Sequence, residues 1–326
     1  MAKGHYDNEA HQALTQARVN LPTEQVFRGR SLNPRLNPYG LKFRECRYST
    51  KHPKARPIMM VADDSGSMGD IPHYWATVDM PHFLELVLKG GFLESPQPMI
   101  VGVNDVGAGA QAPLQVGQFE GEAHLIDQDL TSLFIQGGGG SIPGESYELP
   151  FYVAARHASC DCYEKDGLKG YMFTFGDEPP FPWGVRAREV EQVIGDKLDR
   201  DIPFPEIVAE ANQKFHCFFL IPDEYRRRNC EREWRNLLGD NVICLETHED
   251  ACTACAVIIG LTEGVLTDLS AVSQSLEAMG CDEAKINRII RAVAPYAASL
   301  DRGGKVRRAG ETRSPSGQGK SGNRRR

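Results

Sequence analysis

The stretch PIMMVADDSGSMG, residues 57–69, decides the fold. Ile58 to Ala62 form an unbroken apolar run of strand length, and the run ends in a polar, glycine-containing turn. A strand that is apolar at successive positions is covered on both faces, as happens in parallel sheets. After it, Ile71, Trp75, Val78, Phe83, Leu86 and Val87 recur near helical spacing over 71–89, with Pro81 expected to break or kink the helix.

The same alternation continues along the chain. Strands are expected over 98–107, 113–121, 170–178, 215–221 and 241–246, and helices over Glu145 to Ala158, 205–213, Glu231 to Leu238 and Asp250 to Leu261. Strands alternating with helices imply a doubly wound, mostly parallel α/β sheet with helices on both faces, spanning about 56–265. Residues 1–55 are polar and proline-punctuated, with a short helix around Glu9 to Arg18, and read as an arm packed on this domain. Residues 266–300 read as a helical pair: Thr267 or Asp268 caps a helix ending at Gly280, and Asp282 caps a second running to about Ala298. Residues 301–326 read as a disordered basic tail.

Composition narrows the functional classes. Of 326 residues, 41% are apolar and 25% charged, which excludes fibrous and wholly disordered chains. No stretch approaches 18 uninterrupted apolar residues, and MAKGHYDNEA is not a signal peptide, so a cytoplasmic protein is expected. The nine cysteines then read as thiols. The net charge of -7 combines +7 on residues 301–326 with -14 on the remainder, so only the tail could supply contacts to nucleic acid.

Chemistry concentrates where the strands end, since open parallel sheets bind ligands beyond their C-terminal edges. Asp63, Ser65 and Ser67 follow the first strand, the loop GGGGS (137–141) brings Ser141 with Glu145 soon after, and Asp177 and Glu178 close the strand YMFTF. Carboxylates with hydroxyls are hard oxygen ligands of the kind Mg²⁺ or Mn²⁺ prefers. Alternation at 63, 65 and 67 lets an extended turn aim three side chains at one point, with Gly66 and Gly69 relieving the backbone.

Asp63-Asp64-Ser65-Gly66-Ser67 resembles the DxSxS motif of von Willebrand factor type A domains, and the resemblance extends over roughly 56–250. The metal-ion-dependent adhesion site of that family adds a threonine from a Gly-rich loop and an aspartate after a later strand. Here GGGGSIPGES matches the loop and Asp177 the aspartate, so the resemblance implies a metal set of Asp63, Ser65, Ser67, Ser141 and Asp177. If Gly140 rather than Ser141 takes the threonine position, water or Glu145 must supply the missing oxygen. RECRYS, LQVGQFEG, GGGGxxxxES and FTFGDEPP are similar to an intracellular bacterial and phage subgroup of these proteins. The resemblance implies Mg²⁺-dependent binding of a protein that presents an Asp or Glu, with an AAA+ ATPase of the MoxR type as a partner class and an adaptor or assembly role. The alternatives are a metal-dependent hydrolase or phosphotransfer enzyme at the same ion, with Asp64, Glu145 and Glu178 nearby, and a nucleic-acid-associated factor using the tail.

Other signals carry bland readings beside sharp ones. Cys160/Cys162 and Cys252/Cys255, with His157 and His248 near them, could hold zinc if the fold joined them, but read first as core thiols. Arg226, Arg227, Arg228, Arg232 and Arg235 interleave with Glu231 and Glu233, as on a solvated helix face. SGQGKS in the tail has Ser314 where a phosphate loop needs glycine. The segment PPFPWG (179–184) either caps the core or offers Phe181 and Trp183 as partner anchors, forming with Asp64, Glu145 and Glu178 the rim of the site.

Overall fold

The structure, a computed structural model, describes residues 13–18, 20–138 and 144–310, with side chains as far as Arg302. Gly140 and Ser141, and SGQGKS with the rest of the tail from residue 311, lie outside the described residues. Of the helix expected over Glu9 to Arg18, residues 13–16 are helical and the earlier ones lie outside the described set.

The arm carries a one-turn helix, α1 (Thr23–Val26), and a short strand, β1 (Arg44–Cys46). It anchors itself with Val26, Phe27 and Leu36, all buried in the main core. Strand β2 (Ala55–Asp63) is buried along its whole length. The helical stretch α2 then runs as Ile71–Tyr74, a π-turn over Trp75–Asp79, and Met80–Lys89. Pro81, expected to break or kink it, is accommodated instead. Proline lacks an N–H and crowds the carbonyl four residues back, and the wider turn just before it leaves room.

Next come β3 (Ser95–Val103), β4 (Leu114–Val116), α3 (Ala123–Ser132) and α4 (Glu148–Arg156). The strand expected over 98–107 therefore starts and ends earlier. Pro96 and Pro98 are tolerated because the ladder to β4 is confined to Val101–Val103, and the segment that follows β4 only donates to this half of β3, the Glu120 N–H to the Pro98 carbonyl at 3.0 Å, so no N–H is needed from the prolines. Residue 158 is not helical as expected: β5 (Ala158–Cys160) pairs in parallel with β1, tying the arm to the domain. The chain continues through α5 (Asp161–Asp166), β6 (Gly170–Phe175), α6 (Ala187–Val193), α7 (Phe204–Lys214) and β7 (Phe215–Ile221). It then forms α8 (Glu224–Leu238), β8 (Val242–Cys244) and α9 (Ala251–Thr262).

The main sheet has the order β4-β3-β2-β6-β7-β8, parallel except for the antiparallel edge strand β4. Alternate residues feed two cores. Ile58, Met60 and Ala62 pack with α2 and α9, while Met59 and Val61 face α4, α7 and Trp234 of α8. This is the doubly wound α/β fold expected from the apolar strands.

The helical pair is α10 (Leu269–Ala278) and α11 (Glu283–Gly310). Asp268 accepts from the Ala271 N–H at 2.9 Å and Asp282 from the Lys285 N–H at 2.8 Å. Val272, Leu276, Ile286, Ile289 and Val293 join the core on the α9 side of the sheet. Helix α11 continues to Gly310, past Ala298 and into the segment expected to be disordered, which holds no proline before Pro315. No described helix is long and apolar enough to cross a membrane.

Candidate metal centre

The chain leaves β2 toward β3 on one side and builds β6, β7 and β8 on the other, so β2 and β6 flank the point where the winding reverses. Side chains at the C-terminal ends of these two strands face the crevice that this reversal opens. Asp63 is the last residue of β2, and Asp177 follows the end of β6.

Between them the turn after β2 folds as one turn of 3₁₀-helix, Gly66–Met68. The Ser65 N–H donates to Asp63 Oδ1 at 2.8 Å, which curls the turn back over the strand end. The hydroxyls of Ser65 and Ser67 then lie 3.0 Å apart, and Ser67 Oγ donates to Asp177 Oδ1 at 3.0 Å. The Gly-rich loop closes on this turn, with the Gly66 N–H donating to the Gly138 carbonyl. A Cβ at residue 66 would stand 2.8 Å from that oxygen, so the approach requires glycine.

Asp63 is fully buried, and its second oxygen accepts from the Tyr147 hydroxyl at 2.5 Å. That hydroxyl also lies 3.3 Å from the Asp177 N–H and 3.4 Å from the Glu178 N–H, so one buried phenol fixes both strand ends. Tyr147 is held edge-on by Phe219 and Trp234, and Trp234 Nε1 donates to the Glu178 carbonyl at 3.0 Å.

The site is short of positive charge. Burial pushes the Asp63 carboxyl up to about 7; the bonds from Ser65 and Tyr147 oppose this, and the Asp177 charge adds to it. Glu145 is also buried. Desolvation, then the charges of Asp63, Asp105, Asp177 and Asp64, push it up to about 9, and its Oε2 has no hydrogen-bond partner. Hard oxygens from two hydroxyls and two carboxylates, beside an unpartnered buried carboxylate oxygen, form a donor set that fits a small divalent cation. Among the described residues no group of three His, Cys, Asp or Glu is gathered for a metal, so an ion here depends on the serine hydroxyls.

The structure thus brings Asp63, Ser65, Ser67 and Asp177 together, with Glu145 beside them; Ser141 lies outside the described residues. The expected rim divides. Asp64 points inward, accepting from Asn104 Nδ2 at 2.6 Å and Gln115 Nε2 at 3.0 Å, and burial holds its carboxyl well above the usual range. Phe181 is buried against Gly144 and stacks on Trp183, which carries the Arg186 guanidinium 3.9 Å from its ring centre. The 179–184 loop therefore caps the core at Phe181, because its stiff backbone folds the ring inward. Glu178 and Trp183 remain half-buried.

The cysteine pairs stay apart as buried thiols, one in β5 and α5, the other in α9. His157 is satisfied by the Lys42 carbonyl and Asp196. Arg227 and Arg235 pair with Glu231, and Arg232 with Glu233, as on a solvated face. Arg226 does not belong with them. Its Nε donates to Asp177 Oδ2 at 3.1 Å, and its terminal nitrogens reach Asp223 and the Ser67 carbonyl. Sequence reasoning missed both Tyr147 and Arg226. The available signal for Arg226 was Asp223, a helix cap three residues before it, which places the arginine in the first helical turn at the ligand edge of the sheet.

No protein-family model matches the chain, and no curated protein does. Among solved structures, the pilus adhesin SpaC from Lactobacillus rhamnosus GG in its open conformation aligns at 17% identity and a TM-score of 0.42. That alignment covers 64% of this chain and 30% of the adhesin. Proximal thread matrix protein 1 from the mussel byssus aligns at 9% identity and a TM-score of 0.39, over 68% of this chain and 49% of that one. A form of the mussel protein described as having a zinc-occupied MIDAS motif gives 11% identity, a TM-score of 0.40 and coverage of 67% and 49%. The aligned region thus spans between about a third and a half of these proteins.

Proposed function

We propose that this chain is a von Willebrand type A-like module that binds a protein partner through a divalent ion, Mg²⁺ or Mn²⁺, and does not catalyse a reaction. The observation that carries this reading is the convergence of Ser65 Oγ, Ser67 Oγ and Asp177 Oδ1 in a 3.0 Å chain above buried Asp63, at the reversal of the sheet. Asp63, Ser65 and Ser67 would hold the ion, Asp177 would complete the set from the end of the neighbouring strand β6, and the Gly-rich loop would close it. The ion supplies a Lewis-acidic position that an aspartate or glutamate of the partner can occupy. Tyr147 keeps Asp63 and the Asp177 backbone in register. Asp64, tied to Asn104 and Gln115, is in no position to act as a base on a substrate.

An AAA+ ATPase as partner, an adaptor or assembly role and a cytoplasmic setting belong to the same proposal, and the motif resemblance is their support. The test is direct. Mn²⁺ titrated into the protein and followed by electron paramagnetic resonance should show one bound ion that is lost in Asp63→Ala and in Ser67→Ala. A tagged protein should retain a partner in Mg²⁺ and lose it in EDTA and in Asp63→Ala. A partner retained under all three conditions would move binding away from the ion and sink the reading.

A further inference from the structure

Asn104 is the first residue after β3, and Asp64 is the first after β2. The two strands pair in parallel with Asp63 opposite Val103, so these residues meet side by side at the ligand edge of the sheet. Asn104 is buried, and both polar atoms of its amide are employed. Its Nδ2 donates to Asp64 Oδ1 at 2.6 Å and to the Gly137 carbonyl at 3.2 Å, while Oδ1 accepts from the Asp105 N–H at 2.8 Å. One neutral side chain thus joins the ends of β2 and β3 to the entry of the Gly-rich segment.

That entry is held at every step. Gln115 of β4 accepts from the Phe134 N–H at 2.9 Å, and its Nε2 donates to the Phe134 carbonyl and to Asp64 Oδ2, each at 3.0 Å. The Gln136 side chain bonds the backbone of Gln111 and Ala112. Gly137 and Gly138 then adopt φ of 62° and 77°, a left-handed pair that suits glycine. Through this turn the Gly137 carbonyl meets Asn104 and the Gly138 carbonyl meets the Gly66 N–H. A polar chain therefore runs from Asp64 through Asn104, Gly137 and Gly138 to Gly66, which lies between Ser65 and Ser67.

Resting on the metal-binding reading above, we propose that Asn104 is a positioning residue of the ion site. It sets Gly137 and Gly138, and through the Gly66 N–H it sets the turn that presents the Ser65 and Ser67 hydroxyls. The turn is consequently in place before an ion arrives, and none of the ion's binding free energy is spent on ordering it. Without Asn104 the ion must order the turn on arrival, and fixing even one backbone residue weakens binding by about tenfold.

The experiment uses the full chain and Mn²⁺ alone, titrated at pH 8 and read by electron paramagnetic resonance, with Asn104→Ala and Asn104→Asp compared with wild type. Asn104→Ala removes the amide and leaves the Asp64 carboxyl in place. Asn104→Asp keeps the shape and the acceptor for the Asp105 N–H, but a carboxyl has at most one proton to donate and cannot hold Asp64 and Gly137 together. Each variant is expected to bind Mn²⁺ at least about tenfold more weakly, with the remaining binding still lost on Asp63→Ala. In EDTA, hydrogen exchange at the Gly66 amide is expected to quicken by at least about tenfold, a change that reads the turn with no ion present. Thermal melts in EDTA establish which variants are folded at the working temperature, where lost stability alone leaves the affinity unchanged. A smaller fall in affinity in folded Asn104→Ala, or in Asn104→Asp if the alanine variant does not fold, overturns the role of Asn104 and leaves the ion site standing. So does a wild-type Gly66 amide that exchanges as fast as in an open chain, an outcome that needs no variant. Absence of Asp63-dependent Mn²⁺ binding in the wild type overturns the ion site, and the role of Asn104 with it.

Discussion

Replacing Asp63 by asparagine exchanges a fully buried carboxylate for a neutral group of nearly the same shape. The amide oxygen can still accept from the Ser65 N–H, and the amide nitrogen can donate to the Tyr147 hydroxyl, which already lies near two backbone N–H groups. The folded protein holds the Asp63 carboxyl at about 7 against an ordinary 3.8, chiefly through burial. Between those values the folded state binds a proton that the unfolded state has released. Stability from this group is therefore lost as pH rises through the window and stays lost above it. A shift of about three units corresponds to about 4 kcal/mol, an upper figure that local relaxation lowers to about 2–4 kcal/mol. Urea unfolding in EDTA should accordingly show Asp63→Asn more stable than wild type by that amount at pH 8, with the gain shrinking toward zero near pH 4. Adding Mg²⁺ should stabilise the wild type and leave the variant unchanged. A variant that is less stable than wild type at pH 8 in EDTA, or whose gain is independent of pH, would refute the claim that this carboxylate is held at a cost for the sake of a cation.

Two further outcomes follow from the same geometry. Gly66→Ala places a Cβ 2.8 Å from the Gly138 carbonyl, where backbone must move. Overpacking of this kind costs about 1–3 kcal/mol, and Mn²⁺ affinity should fall at least about tenfold; unchanged affinity would show that closure of the loop is irrelevant to the ion. His216 on β7 is held down at about 4 by burial and by Lys169, against an ordinary 6.5. The folded state thus binds fewer protons than the unfolded one between pH 4 and 6.5, so this contribution is present above the window and lost as pH falls through it. Partial exposure reduces the full shift to about 2 kcal/mol, and His216→Asn should remove that share of the acid sensitivity in urea melts at pH 4.5 and 7.

Much of the fold is legible because buried parallel strands write their burial into consecutive residues. FHCFFLI is β7 from its first residue to its last. The composition of DDSGSMG likewise pointed to Asp63, Ser65 and Ser67, although the extended turn expected there is instead a 3₁₀ turn over Gly66–Met68, which brings the two serine hydroxyls within 3.0 Å of each other. Edge and surface elements are harder to read. β4 keeps only three residues of a nine-residue expectation, and α3 was not expected at all. The first half of α8 was missed because only Cys230, Trp234 and Leu238 are buried, too sparse a stripe to rise above its arginines. Tyr147 and Arg226 became visible only when distant segments met, because a hydrogen bond to a residue 84 or 49 positions away leaves no period in the chain. Phe181 allows both readings in the sequence, core cap and partner anchor, for the opposite reason: an aromatic ring in a stiff loop looks the same whether it turns out or in, and here it turns in.

The π-turn of α2 has a consequence for how this region can change in length. It carries one residue more than an α-turn, so the residues before it are rotated by about 100° relative to those after it. The early residues, Ile71 and Pro72, line a small apolar cavity beside Asp63 with Met68, Trp75 and Phe175, while the later ones, Phe83, Leu84, Leu86 and Val87, pack into the core. The surplus residue thus works as a joint between two registers. Deleting one residue from 75–79 would restore a regular helix and swing one end out of phase, at either the Asp63 cavity or the core. An insertion or deletion that spares those five positions but alters the turn before them would be absorbed differently. Length at this joint, more than residue identity, is what ties the site to the domain behind it.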